Sequence, residues 1–303
     1  MKARAPGKLV LTGAYAVLEG APAIVAAVNR YAVADSSRIM EDPTDEVRAA
    51  MTEDEPVPQA DASELRDAAG CKLGLGSSAA VLVASLAARA LARGEDVRDG
   101  AVRARLFAAA RKAHALAQSG GSGVDVAASV YGGVLRYTVG DGQPEIRPVA
   151  LPPSLVLQVY FGGSSARTSS MRERIAAARV DRSRELSPIA RGMAETAARA
   201  ADAIESGDAP GFVRLAREYG SLLDSLGRAA NAPVVLQAHA ELAADAGRED
   251  AAFLPSGAGG GDVAVWLGLA APSRTFSARA RALALEPLAI SVDVDGVRRD
   301  PAH

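Results

Sequence analysis

The segment Lys72-Leu73-Gly74-Leu75-Gly76-Ser77-Ser78-Ala79-Ala80 is a glycine-rich turn feeding an unbroken run of helix formers at 81–92, ended by Gly94. The first amides of a helix have no intrahelical acceptor, and glycines let a phosphate come close to them. The helix dipole adds about 0.3–1 kcal/mol for an anion held there. The hydroxyls of Ser77 and Ser78 suit capping, a phosphate oxygen or a Mg2+ ion. The spacing differs from G-x-x-x-x-G-K-[ST], so this is not a Walker A loop. Taken alone it also reads as a Ser-capped helix after a tight turn. Two more glycine-rich loops, at 119–123 and 256–261, favour a ligand, because three such loops make sense if phosphate or ligand backbone must fit between them.

Asp125 follows Ser122-Gly123 at a helix start, where a carboxylate complements the helix dipole. Its chemical reading is a carboxylate that accepts or orients a substrate hydroxyl proton for attack on a γ-phosphate, positioning being most of what a protein supplies to phosphoryl transfer. Lys8 follows Ala5-Pro6-Gly7 and enters an apolar strand. The chain has four lysines, Lys2, Lys8, Lys72 and Lys112, among 34 basic residues. A compact ammonium kept where arginine is the rule points to a point-charge role on phosphate, although a strand-entrance lysine is also an ordinary solvated edge charge. Lys72 raises the same question.

The elements that must hold these residues follow from periodicity. Short apolar runs at 8–12 and 23–28 and a looser alternation at 31–39 predict strands, with Gly20, Pro22 and Asn29 as turns. The stretch 41–59, with seven acidic residues and three prolines, reads as a surface excursion with little to bury. Helices are expected over 97–118 and 124–131. Three prolines at 148–154 mark a domain boundary, dividing the chain into 1–150 and 151–303. Beyond it come a strand at 155–161, helical periodicity over 169–245 broken near 207–210 and 231–233, a strand at 263–267, a helix, and a last strand at 288–294.

Composition narrows the function. Charge nearly cancels, 34 basic against 36 acidic residues, so a strongly basic nucleic-acid face is not expected. Aromatic content of 4% and a single Trp266 argue against stacking platforms for single strands. One cysteine, Cys71, permits no intrachain disulfide, and with His114, His239 and His303 scattered it builds no Cys/His zinc site. Charged, glycine and proline residues interrupt the apolar segment 9–28, so no membrane span and a cytoplasmic location are expected. A soluble enzyme or small-molecule binder remains.

Three ordered segments carry a resemblance. Ala5-Pro6-Gly7-Lys8 with Leu11-Thr12-Gly13-Ala14-Tyr15-Ala16-Val17-Leu18-Glu19-Gly20, then Gly74-Leu75-Gly76-Ser77-Ser78-Ala79-Ala80, then Ser256-Gly257-Ala258-Gly259-Gly260-Gly261-Asp262, are similar to the motifs of the GHMP small-molecule kinases over nearly the whole chain. Residues 113–133, including His114, Gln118 and Asp125, resemble the phosphomevalonate kinase branch, whereas mevalonate kinases carry a metal-binding Glu near the position of His114. Gly163-Ser164-Ser165-Ala166-Arg167-Thr168-Ser169 is similar to a further loop of that branch.

The resemblance implies an α/β (α+β) two-domain fold, its N-terminal α/β domain built on a left-handed βαβ crossover and its C-terminal domain ferredoxin-like. It implies ATP and Mg2+ as cofactors and phosphorylation of 5-phosphomevalonate to the 5-diphosphate, a step of isoprenoid biosynthesis. Lys8 and Asp125 would be catalytic. Lys72, Gly74, Leu75, Gly76, Ser77, Ser78 and Ala79 would hold the nucleotide, Ser78 on the metal side, and Tyr15, Ser122, Gly123, Arg167, Gly257, Ala258, Gly259 and Gly260 the substrate. The expected partner is a small phosphorylated or hydroxylated acid, with no nucleic acid or membrane, in a monomer or homodimer.

The chain also departs from the pattern. Gly13-Ala14-Tyr15 stands where many members have Gly-Glu-Tyr, and the region before Leu73 is short. Arg167 replaces a typical Ser, and it reads either as a bidentate phosphate ligand or as one more surface arginine. His114 reads as a packed helix residue. Mevalonate kinase chemistry, with a hydroxyl acceptor, is the rival within the class, and a silent GHMP-fold binding protein, favoured by Ala14, is the rival outside it.

Overall fold

In a computed structural model of the chain, which describes residues 1–51, 55–118, 120–140, 142–163, 168–261 and 263–301, the N-terminal apolar runs form β1 (Lys2–Thr12) and β2 (Ala23–Ile39). The turn expected at Asn29 does not occur. Its main-chain N–H donates to the Ser291 carbonyl at 3.0 Å and its side-chain oxygen accepts from the Ser291 N–H at 2.8 Å, so a distant segment satisfies the groups a turn would have used.

The 41–59 stretch is more than a surface excursion. It contains α1 (Asp45–Ala50), whose Val47 is fully buried, and it leads to β3 (Pro58–Asp61), which pairs antiparallel with β2. Next comes α2 (Ser77–Ala92), in which alanines and short aliphatics are buried almost all round, the pattern of a core helix. The helix α3 (Gly100–Ala117) is capped by Asp99, whose carboxylate accepts from the amides of Ala101 and Val102. Two glycines close α4 (Val124–Tyr131) before β4 (Val134–Thr138) and β5 (Glu145–Val149).

The second half continues with β6 (Val156–Phe161), α5 (Thr168–Asp181), α6 (Ser183–Glu205), α7 (Ala209–Ala229), α8 (Gln237–Arg248) and β7 (Ala252–Pro255). It ends with β8 (Val263–Gly268), α9 (Arg274–Ala282), β9 (Glu286–Leu288) and β10 (Arg298–Arg299). The strand expected over 288–294 is shorter: pairing stops at Leu288, and Val292 makes only a single bridge with Val28.

A six-stranded sheet runs β10-β1-β2-β4-β5 with β3 beside β2, and a four-stranded sheet runs β7-β8-β6-β9 with each neighbour antiparallel. The chain divides into two compact units interleaved in sequence: residues 1–9, 25–135 and 291–303 in one, 10–24 and 136–290 in the other. In the first unit the C-terminal segment is held by a buried ion pair, Arg298 to Asp293 at 2.8 Å, with Tyr31 donating to the same carboxylate at 2.7 Å. In the second, Trp266 and Phe276 meet edge to face at 4.5 Å among Tyr160, Phe253 and Leu242. The one tryptophan is thus buried in a core, its ring geometry of the kind aromatic pairs favour. Among the described residues no helix is long and apolar enough to cross a membrane.

Candidate active site

In the first unit, the alternation Leu73-Gly74-Leu75-Gly76 sets the glycine loop. Leu73 and Leu75 are buried. Between and after them, Gly74 and Gly76 adopt φ of 77° and 76°. Such left-handed backbone costs an L-residue roughly 1–2 kcal/mol, and glycine escapes the cost. The Leu75 carbonyl accepts the Lys8 N–H at 2.8 Å, which stitches the loop to β1. The Lys8 ammonium reaches the Gly74 carbonyl at 3.4 Å. Gly76 is the crowded point: a Cβ there would lie 2.9 Å from Lys8 Cγ and 3.7 Å from Asp125 Cβ. The fold thus gathers Lys8, the 74–76 turn and Asp125 around one glycine.

Gly76 is also the N-cap of α2, with no side-chain cap, so the serines do not close this helix end. The first-turn amides at 77–79 are natural hydrogen-bond donors to an anion. The N-cap of α4 is Gly123, again left-handed and without a side-chain cap. Ser122 Oγ accepts from the Val124 N–H at 3.3 Å, and Asp125 Oδ1 accepts from the Val126 N–H at 3.0 Å, which orients the carboxylate.

A chain of polar contacts runs from Asp125 to Glu46 on α1. Asp125 Oδ2 lies 3.5 Å from Nε2 of His114, which is buried on α3. That ring nitrogen is 3.1 Å from the Gln118 amide, which donates to Glu46 Oε1 at 3.1 Å. Burial works against the Glu46 carboxylate. It is outweighed by hydrogen bonds from Gln118, the residue's own amide, Thr44 and Ser78, which hold Glu46 below the usual carboxylate range.

In the second unit the third glycine loop is tied to the end of β1 and the turn after it. Ser256 Oγ accepts from the Val10 N–H at 2.9 Å, and the Tyr15 hydroxyl donates to the Ala258 carbonyl at 2.6 Å. Tyr15 has φ 64°. For a bulky side chain that is an outlier, and it persists only where its surroundings over-determine it. The Ala14 carbonyl accepts from the Tyr219 hydroxyl at 2.5 Å. Burial raises the Tyr219 pKa, keeping it a neutral donor. Gly259 has φ 77°, and a Cβ there would meet the Val234 carbonyl oxygen at 2.1 Å, so the unit's own main chain requires a glycine at this position. Gly257, Ala258 and Gly260 are partly exposed, whereas Gly259 is buried. His239 is buried beside Gly162, its Nδ1 has no hydrogen-bond partner among the described residues, and burial lowers its pKa to about 4.

The structure therefore brings together Lys8, Gly74, Leu75, Gly76, Ser77, Ser78, Ala79, Ser122, Gly123 and Asp125 in one unit, and Tyr15, Gly257, Ala258, Gly259 and Gly260 in the other. Lys72 is exposed and pairs through its main chain with Arg66. Arg167 lies outside the described residues. Sequence reasoning missed Glu46 and Tyr219 as neighbours of these groups, and it names Gln118 only within the segment that carries the resemblance. Only Glu46 carries a signal: Thr44-Asp45-Glu46-Val47 has the make-up of a helix start. Hard oxygen donors such as Ser78 and Glu46 suit Mg2+, which keeps waters and substrate phosphates and needs few protein ligands.

No family model matches the chain. A mevalonate kinase of Archaeoglobus fulgidus is 32% identical over 201 residues, 57% of this chain, and the match spans 65% of that enzyme's length. Among solved structures, the Lin0012 protein of Listeria innocua superposes with a TM-score of 0.83 at 23% identity, covering 100% of both chains. The phosphomevalonate kinase of Streptococcus pneumoniae, in complex with phosphomevalonate and AMPPNP, superposes with a TM-score of 0.79 at 21% identity, over 96% of this chain and 99% of that one.

Proposed function

We propose that this chain, whose fold is that of the GHMP small-molecule kinases, transfers the γ-phosphoryl group of ATP to a small phosphorylated acid, 5-phosphomevalonate. The observation that carries the reading is the meeting of Lys8, the 74–76 turn and Asp125 at Gly76.

Phosphoryl transfer asks for positioning and charge neutralisation. The open amides at the start of α2 hold the nucleotide phosphates, and Gly74 and Gly76 let them approach. Lys8 places a point charge beside the transferring group as negative charge builds on its oxygens. Asp125, oriented by the Val126 amide, steers the attacking oxygen and takes a proton only from an acceptor that carries one there, and Ser122 and Gly123 bound the acceptor beside it. Ser78 would hold Mg2+ from the protein side, and the ion would supply charge neutralisation at the phosphates. Within the second unit, Gly259 supports the loop of Gly257, Ala258 and Gly260, to which Tyr15 donates its hydroxyl hydrogen bond.

His114 favours a phosphate acceptor. An acceptor that is itself an anion is better tolerated beside Asp125 when the neighbouring buried side chain is an imidazole rather than a second carboxylate. Mevalonate, with a hydroxyl acceptor, is the second reading, and the Archaeoglobus fulgidus relative favours it.

The test is a coupled ADP-release assay with Mg-ATP, offering mevalonate, 5-phosphomevalonate and 5-diphosphomevalonate in parallel. Turnover with 5-phosphomevalonate alone is the expected result. Turnover with mevalonate supports the second reading, and silence on all three with nucleotide bound refutes both.

A further inference from the structure

Gln118 stands between two groups of different hydrogen-bonding capacity. Its side-chain nitrogen is 3.1 Å from Glu46 Oε1 and 3.1 Å from Nε2 of His114, all within the first unit. An ionised carboxylate only accepts, and Glu46, held below the usual carboxylate range, is ionised at neutral pH. It therefore requires the nitrogen of the Gln118 amide, because a flipped amide would set two acceptors face to face. That nitrogen has two hydrogens to give and accepts nothing. With one hydrogen on Glu46, the other meets Nε2 of His114, which must accept. The ring proton then sits on Nδ1 and the imidazole is neutral. The anchors on both sides are fixed: Val47 beside Glu46 is fully buried, His114 is buried on α3, and the Gln118 main-chain N–H donates to the His114 carbonyl at 3.1 Å.

Asp125 is the group that this arrangement protects. Its Oδ2 lies 3.5 Å from the same Nε2, longer than a hydrogen bond between such groups. A proton on Nε2 would turn the approach into a charge-assisted bond of about 2.8 Å and draw the carboxylate towards α3. We infer that Gln118, aimed by Glu46, is a positioning residue that keeps Nε2 of His114 bare and so leaves the Asp125 carboxylate to the acceptor. The inference rests on the proposed role of Asp125 and adds to that site a residue that acts through His114.

Imidazole nitrogen NMR of the 15N-labelled full chain reads the tautomer directly, and the chain has three histidines, His114, His239 and His303. The His114 signals are those lost in His114→Asn. At neutral pH, wild type should show a protonated Nδ1 and a bare Nε2 for His114. Gln118→Met, similar in length but without a donor, should move the proton to Nε2. Its kcat should fall by about tenfold with KM for ATP unchanged, since a misplacement of about 1 Å costs about 10²-fold and the shift here is smaller. A proton on Nε2 in wild type overturns the inference, and that spectrum decides it even if Gln118→Met fails to fold. A merely structural Gln118 would leave the tautomer of the variant as in wild type, and that result, or a moved proton with kcat unchanged, also overturns it. If wild type turns over none of the three mevalonate-derived acids, the kinase reading falls and the role of Asp125 with it, whatever tautomer the spectrum shows.

Discussion

Gly76→Ala isolates the contact on which the proposed site depends. The variant meets two penalties. Gly76 has φ +76°, and an alanine Cβ there, 2.9 Å from Lys8 Cγ and 3.3 Å from Cε, must push the lysine stem aside by a few tenths of an ångström. Left-handed backbone itself costs an alanine roughly 1–2 kcal/mol. Gly94→Ala is the matched control: its φ is +81°, and a Cβ there meets nothing within 4 Å. Gly94→Ala should lose about 1–2 kcal/mol in urea denaturation followed by far-UV circular dichroism, and Gly76→Ala, which also displaces the Lys8 stem, more than that. They should part in turnover. Displacement of a catalytic charge by about 1 Å costs about 10²-fold, so Gly76→Ala should lower kcat by about 10- to 100-fold while Gly94→Ala stays near wild type. Equal kcat for the two variants would refute the placement of Lys8 in the reaction.

Asp125→Asn keeps the shape and the bond from the Val126 amide but removes the charge. Its kcat should fall by about 10²–10⁴ with ATP affinity nearly unchanged. An unaffected rate would remove Asp125 from the chemistry. The second unit should lose stability in acid, because His239 binds its proton only near pH 4 when folded but near 6.5 when unfolded. Between those values the unfolded state holds more protons, so stability falls as pH falls, by about 1.4 kcal/mol per unit at most. Trp266, buried in that unit, reports it by fluorescence in urea. His239→Asn should flatten the slope between pH 6.5 and about 4, and an identical slope in the variant would show that other groups carry the acid sensitivity.

Features set by neighbours in the chain are legible in the sequence. The glycine pairs flanking 124–131 stop the helix on both sides, and α4 has those bounds. Likewise, the alternation of leucine and glycine at 73–76 announces a turn into a helix, which is what the loop is. Features fixed by distant partners are not legible. Asn29 looks like a turn because the Ser291 groups that carry β2 past it lie 262 residues away. The helix α1 is hidden by its acidic, proline-containing surroundings, although a single buried valine suffices to anchor it. The positive φ of Gly259 answers to Val234, which no spacing within 256–261 could reveal. For the same reason the support of Ala14 by Tyr219, from α7, has no local trace.

The most direct measurement of the central proposal is phosphorus NMR of the chain incubated with Mg-ATP and 5-phosphomevalonate. The account expects the acceptor's monophosphate resonance to give way to the paired, mutually coupled resonances of a diphosphate as ADP accumulates in equal amount. An unchanged monophosphate resonance, with ATP intact or lost only to hydrolysis, would contradict it.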